Sequence, residues 1–180
     1  MNFEEKTVKT NHIFSGKIIQ LQVDDVLLPN GEMSKRELIK HPGAVAIIAM
    51  TENNKLVMVK QYRKPLEKTL VEIPAGKLEE GESPEITALR ELEEETGYTT
   101  NHLQYITSFY TSPGFADEII YVYFTDELTL LEEKKQLDED EFVELMTISL
   151  DDAEELIQSQ DIHDAKTVFA IQYLKAKGWK

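Results

Sequence analysis

Residues 84–96 (PEITALRELEEET) restrict the possible folds more than any other stretch of this chain. Ser83 is a good N-cap, Pro84 suits the first helical position and Gly97 suits the position just past the end, so the spacing predicts a helix over 84–96. On a helical wheel Ile86, Ala88, Leu89 and Leu92 share one sector, which must be covered by other structure. Glu91, Glu94 and Glu95 share another, with Arg90 on its edge. That acidic sector breaks local rules. Glu91 and Glu95 are four apart, a like-charge pair that weakens a helix by a few tenths of a kcal/mol. Glu93, Glu94 and Glu95 crowd the helix C-terminus, where the dipole favours cations. Local rules broken repeatedly at one place mark functional sites. A bound hard cation is the simplest remedy, and carboxylates without His or Cys suit Mg²⁺ or Mn²⁺. A solvated helix face is the competing reading, and the flanking spacing decides between them.

Around this helix the chain reads as many strands and few helices, a mixed α+β order. Residues 17–28 predict a strand, Pro29-Asn30-Gly31 a turn, and 33–40 the return strand of a hairpin. Apolar runs follow at 44–51 and 55–62, and a short one at 70–73 precedes Pro74-Ala75-Gly76. Further strands are expected at 103–111, 118–125 and 142–148, and closing helices at 150–159 and 164–177. In the last, Ala165, Val168, Phe169, Ile171, Gln172 and Leu174 recur at near-helical spacing and predict a buried face. There is no internal repeat or linker.

Composition excludes several classes. Asp and Glu number 34 against 19 Lys and Arg, a net charge of −15 that disfavours nonspecific nucleic-acid binding. Without Cys, disulfide frameworks, thiolate metal sites and Cys nucleophiles are excluded. No apolar run has the length of a signal peptide or membrane helix, so a cytoplasmic protein is the expectation. Among the 19 basic residues only Arg36, Arg63 and Arg90 are Arg. Arg grips carboxylates and phosphates through a planar fork that Lys lacks. The four His (His12, His41, His102, His163) show no metal-ligand spacing.

From Gly76 the chain reads Gly76, five residues, Glu82, seven residues, Arg90-Glu91-Leu92, one residue, Glu94-Glu95, one residue, Gly97-Tyr98. This resembles the Nudix signature with every fixed position filled, and the strand order fits that family's α/β/α sandwich with a mixed sheet. Nine fixed positions are not filled by chance at ordinary residue frequencies. The chain is further similar to the ADP-ribose pyrophosphatase subfamily in several places. These are Ser112-Pro113-Gly114-Phe115, with Pro113 fifteen residues past Tyr98; Arg36-Glu37 before His41-Pro42-Gly43; Gln61-Tyr62-Arg63; Glu72-Ile73-Pro74-Ala75-Gly76; and the acidic loop Leu137–Glu141. All three Arg fall inside matched motifs.

The resemblance implies Mg²⁺-dependent hydrolysis of ADP-ribose to AMP and ribose 5-phosphate. It implies Glu91, Glu95, Glu141 and the Ala75 carbonyl as metal ligands, and Glu139 as general base with Glu94 or Glu95 as runner-up. Arg90 is expected to orient the carboxylates by pairing with Glu94, and Glu82 to serve as a structural or outer carboxylate. Gly76 and Gly97 are expected to supply backbone freedom. Arg63 is the expected diphosphate clamp, and Lys77 a further substrate contact. Arg36 and Glu37 are assigned to the adenosine end, and Ser112, Pro113, Gly114 and Glu118 to the terminal ribose. Residues 1–41 are expected to form an N-terminal β-hairpin region for dimerisation and substrate contacts, and 42–180 the hydrolase domain of a homodimer. Hydrolysis of another nucleoside-diphosphate sugar is the alternative. A non-catalytic ADP-ribose sensor is a third reading. The retained carboxylates and the lack of a helix-turn-helix appendage or basic patch speak against it.

Overall fold

The computed structural model describes residues 2–133, 135 and 142–179. In chain order the elements are β1 (Lys6–Ser15), β2 (Gln20–Leu27), β3 (Met33–Lys40), β4 (Ala44–Ala49), β5 (Leu56–Arg63), a 3₁₀ turn (Lys64–Leu66), β6 (Lys68–Glu72) and β7 (Ala75–Lys77). Then come α1 (Pro84–Thr96), β8 (Tyr98–Thr99), β9 (Gln104–Tyr110), β10 (Ile119–Thr125), β11 (Thr129–Leu130), β12 (Val143–Ile148), α2 (Leu150–Gln158) and α3 (Ala165–Ala176). The mixed α+β order expected from the sequence is the one found. Among the described residues no helix is long and apolar enough to cross a membrane.

The chain divides into two compact units. The first comprises residues 1–43 and 109–119. Its sheet is the antiparallel meander β1-β2-β3. The β2–β3 hairpin is the one predicted, and Gly31 takes the left-handed conformation (φ 87°) that its turn requires. β1 was not predicted. Two register shifts interrupt its pairing with β2, between Thr7 and Lys9 and between His12 and Phe14, so its side chains never settle into a clean alternation. Almost all of β1 is exposed.

The second unit comprises residues 44–108 and 120–180. Its main sheet has the order β7-β4-β10-β9, with β4 and β10 parallel and β7 antiparallel to β4. A second sheet runs β12-β5-β6. The unbroken apolar run of β4 is what a strand covered on both faces needs, and Val45 through Ala49 are fully buried. Val45, Ile47 and Ala49 pack with Ala88 and Leu92 of α1, together with Val57 and Tyr123. This packing sets α1 beside β4 and β7.

The buried faces of two helices differ from the wheel. In α1 the buried residues are Thr87, Ala88, Glu91, Leu92, Glu95 and Thr96, whereas Ile86 is 59% exposed. The stripe that meets the sheet therefore includes two glutamates that hydropathy assigns outward. In α3 the buried residues are Thr167, Ala170, Ile171 and Leu174, and Ala165 and Gln172 are exposed. The predicted helix is right but its predicted face is rotated. Apolar side chains surround α3, so hydropathy alone marks no face.

Candidate active site

α1 begins and ends as its punctuation requires. The Ser83 hydroxyl accepts from the Ile86 N–H, Pro84 occupies the first turn, and Gly97 closes the helix in the left-handed region (φ 76°) with its N–H on the Glu93 carbonyl. Gly97 supplies conformational freedom as expected. Gly76 does something different: its φ is not positive, so freedom is not what position 76 needs. A Cβ placed there would lie 1.9 Å from Glu91 Cδ and 2.0 Å from its Oε1. Gly76 is required for space, and the space is filled by the Glu91 carboxylate.

Glu91 and Glu95 are buried, at 6% and 2% exposure. The Ala75 N–H donates to Glu95 Oε2 at 3.0 Å, so the turn after β6 and the end of α1 are tied at the carboxylate. Arg90 gathers three more contacts. Its Nη1 donates to Glu91 Oε1 at 2.9 Å and to Glu94 Oε2 at 3.0 Å, and its Nη2 to Glu82 Oε2 at 3.2 Å. Burial opposes the Arg90 charge, but hydrogen bonds to Glu82 and Glu94 and the charge of Glu91 outweigh it, so its pKa stays raised. Glu82 is held below the usual carboxylate range by its hydrogen bonds from Arg90 and Thr87. The pairing of Arg90 with Glu94 expected from the i, i+4 spacing is present, and Glu82 joins it.

A second charged group stands on β5, β6 and α3. Arg63 Nε donates to Glu72 Oε1 at 2.7 Å and its Nη2 to Glu72 Oε2 at 2.8 Å. Lys166 donates to Glu72 Oε2 as well, and to Asp164 Oδ1 at 2.9 Å. Burial of Glu72 works against its charge, yet Arg63 and Lys166 overcome it and push its pKa down to about 2. Arg63 also lies within electrostatic reach of Glu95.

The structure brings Ala75, Glu91, Glu95, Arg90, Glu94, Lys77 and Arg63 into the second unit. Lys77 is exposed, and its carbonyl accepts from Arg90 Nη2 at 3.4 Å. Arg36, Glu37, Ser112, Pro113, Gly114 and Glu118 belong to the first. There Arg36 is engaged by Glu5 through Nε (2.8 Å) and Nη2 (2.6 Å), and its Nη1 donates to Ser34 and to the Lys35 carbonyl. Glu37, Pro113 and Gly114 are exposed. The Ser112 carbonyl accepts from the N–H groups of Phe115 and Ala116 and so closes the turn. Glu118 accepts from the Thr111 hydroxyl, and Glu118 Oε1 lies 3.7 Å from His41 Nε2. His41, assigned no chemistry from sequence, accepts the Gly43 N–H on Nδ1 at 3.1 Å. Glu139 and Glu141 lie outside the described residues.

Sequence reasoning missed Glu72 and Lys166 as site residues. Glu72 was legible, being part of the motif that ends at Gly76. Lys166 was not, because its partner Glu72 is 94 residues away.

The residues present fit a hard divalent cation. The donors are carboxylate oxygens, two of them buried, and the Gly76 cradle holds one against the backbone. Among the described residues no three His, Asp or Glu side chains already stand as a metal cluster. Arg90 gathers the carboxylates instead.

A helix carrying buried carboxylates over a glycine turn, beside a mixed sheet, is the feature that the comparisons with known proteins explain. The chain belongs to the Nudix family, whose domain model matches residues 40–170. It is 64% identical over 176 residues to the ADP-ribose pyrophosphatase of Bacillus subtilis (strain 168), covering 98% of this chain and 95% of that protein. It is 62% identical over 173 residues to the methanol dehydrogenase activator of Bacillus methanolicus, covering 96% and 94%. A crystal structure described as an ADP compounds hydrolase superposes with a TM-score of 0.84 over 98% of this chain and 97% of that one. At 20% identity that likeness shows the fold.

Proposed function

We propose that this Nudix hydrolase is an ADP-ribose pyrophosphatase that works with Mg²⁺, in the cytoplasm, as a homodimer. Water adds across the phosphoanhydride, one P–O bond breaks, and the phosphates leave as AMP and ribose 5-phosphate. The single observation that carries the reading is the pair Glu91 and Glu95, buried and locked over Gly76 and Ala75. The 64% identity to a protein of that name supports the substrate.

Glu91, Glu95 and the Ala75 carbonyl would hold the cation, with Glu141 by resemblance. A divalent cation, when bound, neutralises phosphate charge and acidifies coordinated water. Arg90 fixes Glu91 and Glu94 in orientation by donating to both. Glu139 accepts the water proton by resemblance. Glu94 and Glu95, the alternatives, are already held as acceptors by Arg90 and the Ala75 amide. Arg63 grips the diphosphate, with Lys77 as a further substrate contact. Arg36 and Glu37 serve the adenosine end, and Ser112, Pro113, Gly114 and Glu118 the terminal ribose.

The homodimer reading rests on the first unit. Val8, Ile13, Phe14 and Met33 are all more than half exposed there, apolar side chains that a second copy of the chain would cover.

A panel of ADP-ribose, ADP-glucose, GDP-mannose and dinucleoside polyphosphates, each with Mg²⁺ and with EDTA, tests the reading. ADP-ribose should give the highest kcat/KM, with AMP and ribose 5-phosphate as products and no turnover in EDTA. Preference for another sugar nucleotide would transfer the assignment to that substrate.

A further inference from the structure

Arg63, Glu72, Lys166 and Asp164 form a line of alternating charge in the second unit. Arg63 and Lys166 share the Glu72 carboxylate, and Lys166 in turn reaches Asp164. Asp164 is the N-cap of α3 and accepts from the Thr167 N–H at 3.1 Å, so the helix dipole supports its charge. Its Oδ2 is buried without a hydrogen-bond partner among the described residues, which makes it lean further on Lys166. Glu72 is 2% exposed, whereas the Arg63 side chain is 38% exposed. The line thus starts on the half-buried N-cap of α3 and finishes on a guanidinium that reaches solvent, within electrostatic range of Glu95.

This arrangement answers a difficulty. An Arg paired with one carboxylate is electrically neutral and gives little attraction to a diphosphate. The line is neutral as a whole, but its two ends are separated: Lys166 is shared between Glu72 and Asp164, and Arg63 is the cation at the solvent end. The bidentate grip on Nε and Nη2 also fixes the guanidinium plane and leaves the remaining nitrogen, Nη1, on the side away from Glu72.

We propose that Lys166, acting through Glu72, is a positioning residue for Arg63 that sets the guanidinium so that Nη1 meets the substrate's diphosphate. The inference rests on the reading of Arg63 as the diphosphate clamp.

The test is calorimetric titration of ADP-ribose in EDTA, where no turnover occurs, alongside steady-state kinetics with Mg²⁺. K166M should weaken binding and raise KM about tenfold, with kcat changing less, and K166R should recover most of the loss. E72D, which shortens the carboxylate, should behave like K166M and keeps the test open if K166M does not fold. In an R63A background K166M should change the Kd by less than about twofold, because there is no guanidinium left to position. An equal loss in that background would mean that Lys166 acts independently of Arg63, and would overturn the inference. Wild-type binding by folded K166M, with R63A weakened, would also overturn it while sparing the clamp. Wild-type binding by R63A would remove the clamp, and this inference with it.

Discussion

The carboxylate of Glu91 occupies the space where a side chain at Gly76 would begin, 1.9 Å from the missing Cβ. The glycine of the turn and the glutamate of the helix are therefore one feature.

It follows that Gly76→Ala displaces Glu91. The Cβ meets the Cδ of a buried carboxylate whose Oε1 is bonded to Arg90, so the clash is not relieved by a small rotation. The variant should fold, lose about 1–3 kcal/mol of stability, and lose hydrolysis by about 100-fold. Circular dichroism melts and initial rates check both. Full activity in the folded variant would mean that Glu91 is free to leave its cradle.

Glu95→Gln removes a charge while keeping an oxygen that can accept the Ala75 N–H. The fold should survive. Mn²⁺ binding, followed by calorimetry, should weaken, and Mg²⁺-dependent hydrolysis should fall by at least about 100-fold. Turnover at the wild-type rate would count decisively against this helix as the metal site.

How far the sequence could be read depends on the range of each interaction. The start and end of α1 are local, and Ser83, Pro84 and Gly97 announced them. The pairing of Arg90 with Glu94 is also local, one turn along a helix. The buried face of α1 was misjudged at Ile86, because a helix holding a charged site must turn Glu91 and Glu95 inward at hydropathy's expense. β1 escaped notice because two bulges erase its period. The Glu72–Lys166 contact joins distant segments, and no local pattern encodes it. Spacing suggested freedom at Gly76; only three dimensions show that volume is what matters there.

The exposed apolar residues of the first unit give a test of assembly. Val8 and Phe14 are 62% and 56% exposed on β1. A homodimer that covers them should sediment at twice the 20.7 kDa chain mass. Val8→Lys combined with Phe14→Lys should shift it to one chain, since buried unpaired ammonium groups are costly at an interface. A wild-type chain that sediments as a monomer at all concentrations would end the homodimer reading.

Glu72 makes stability depend on acidity in a definite direction. Its burial alone would raise its pKa, but Arg63 and Lys166 bring it down from 4.5 to about 2. A carboxylate with a folded pKa below its unfolded one stabilises the fold above the unfolded value and loses that contribution as pH falls through the folded one. The window is therefore between about pH 4.5 and pH 2, and the contribution is about 3 kcal/mol. Urea unfolding across that range should show stability falling as pH drops. Glu72→Gln should be less stable near neutral pH, because it leaves Arg63 and Lys166 without their shared carboxylate, and its curve should be flatter below pH 4.5. The same acid slope in wild type and variant would assign the loss to other carboxylates and mean that folding does not lower the Glu72 pKa.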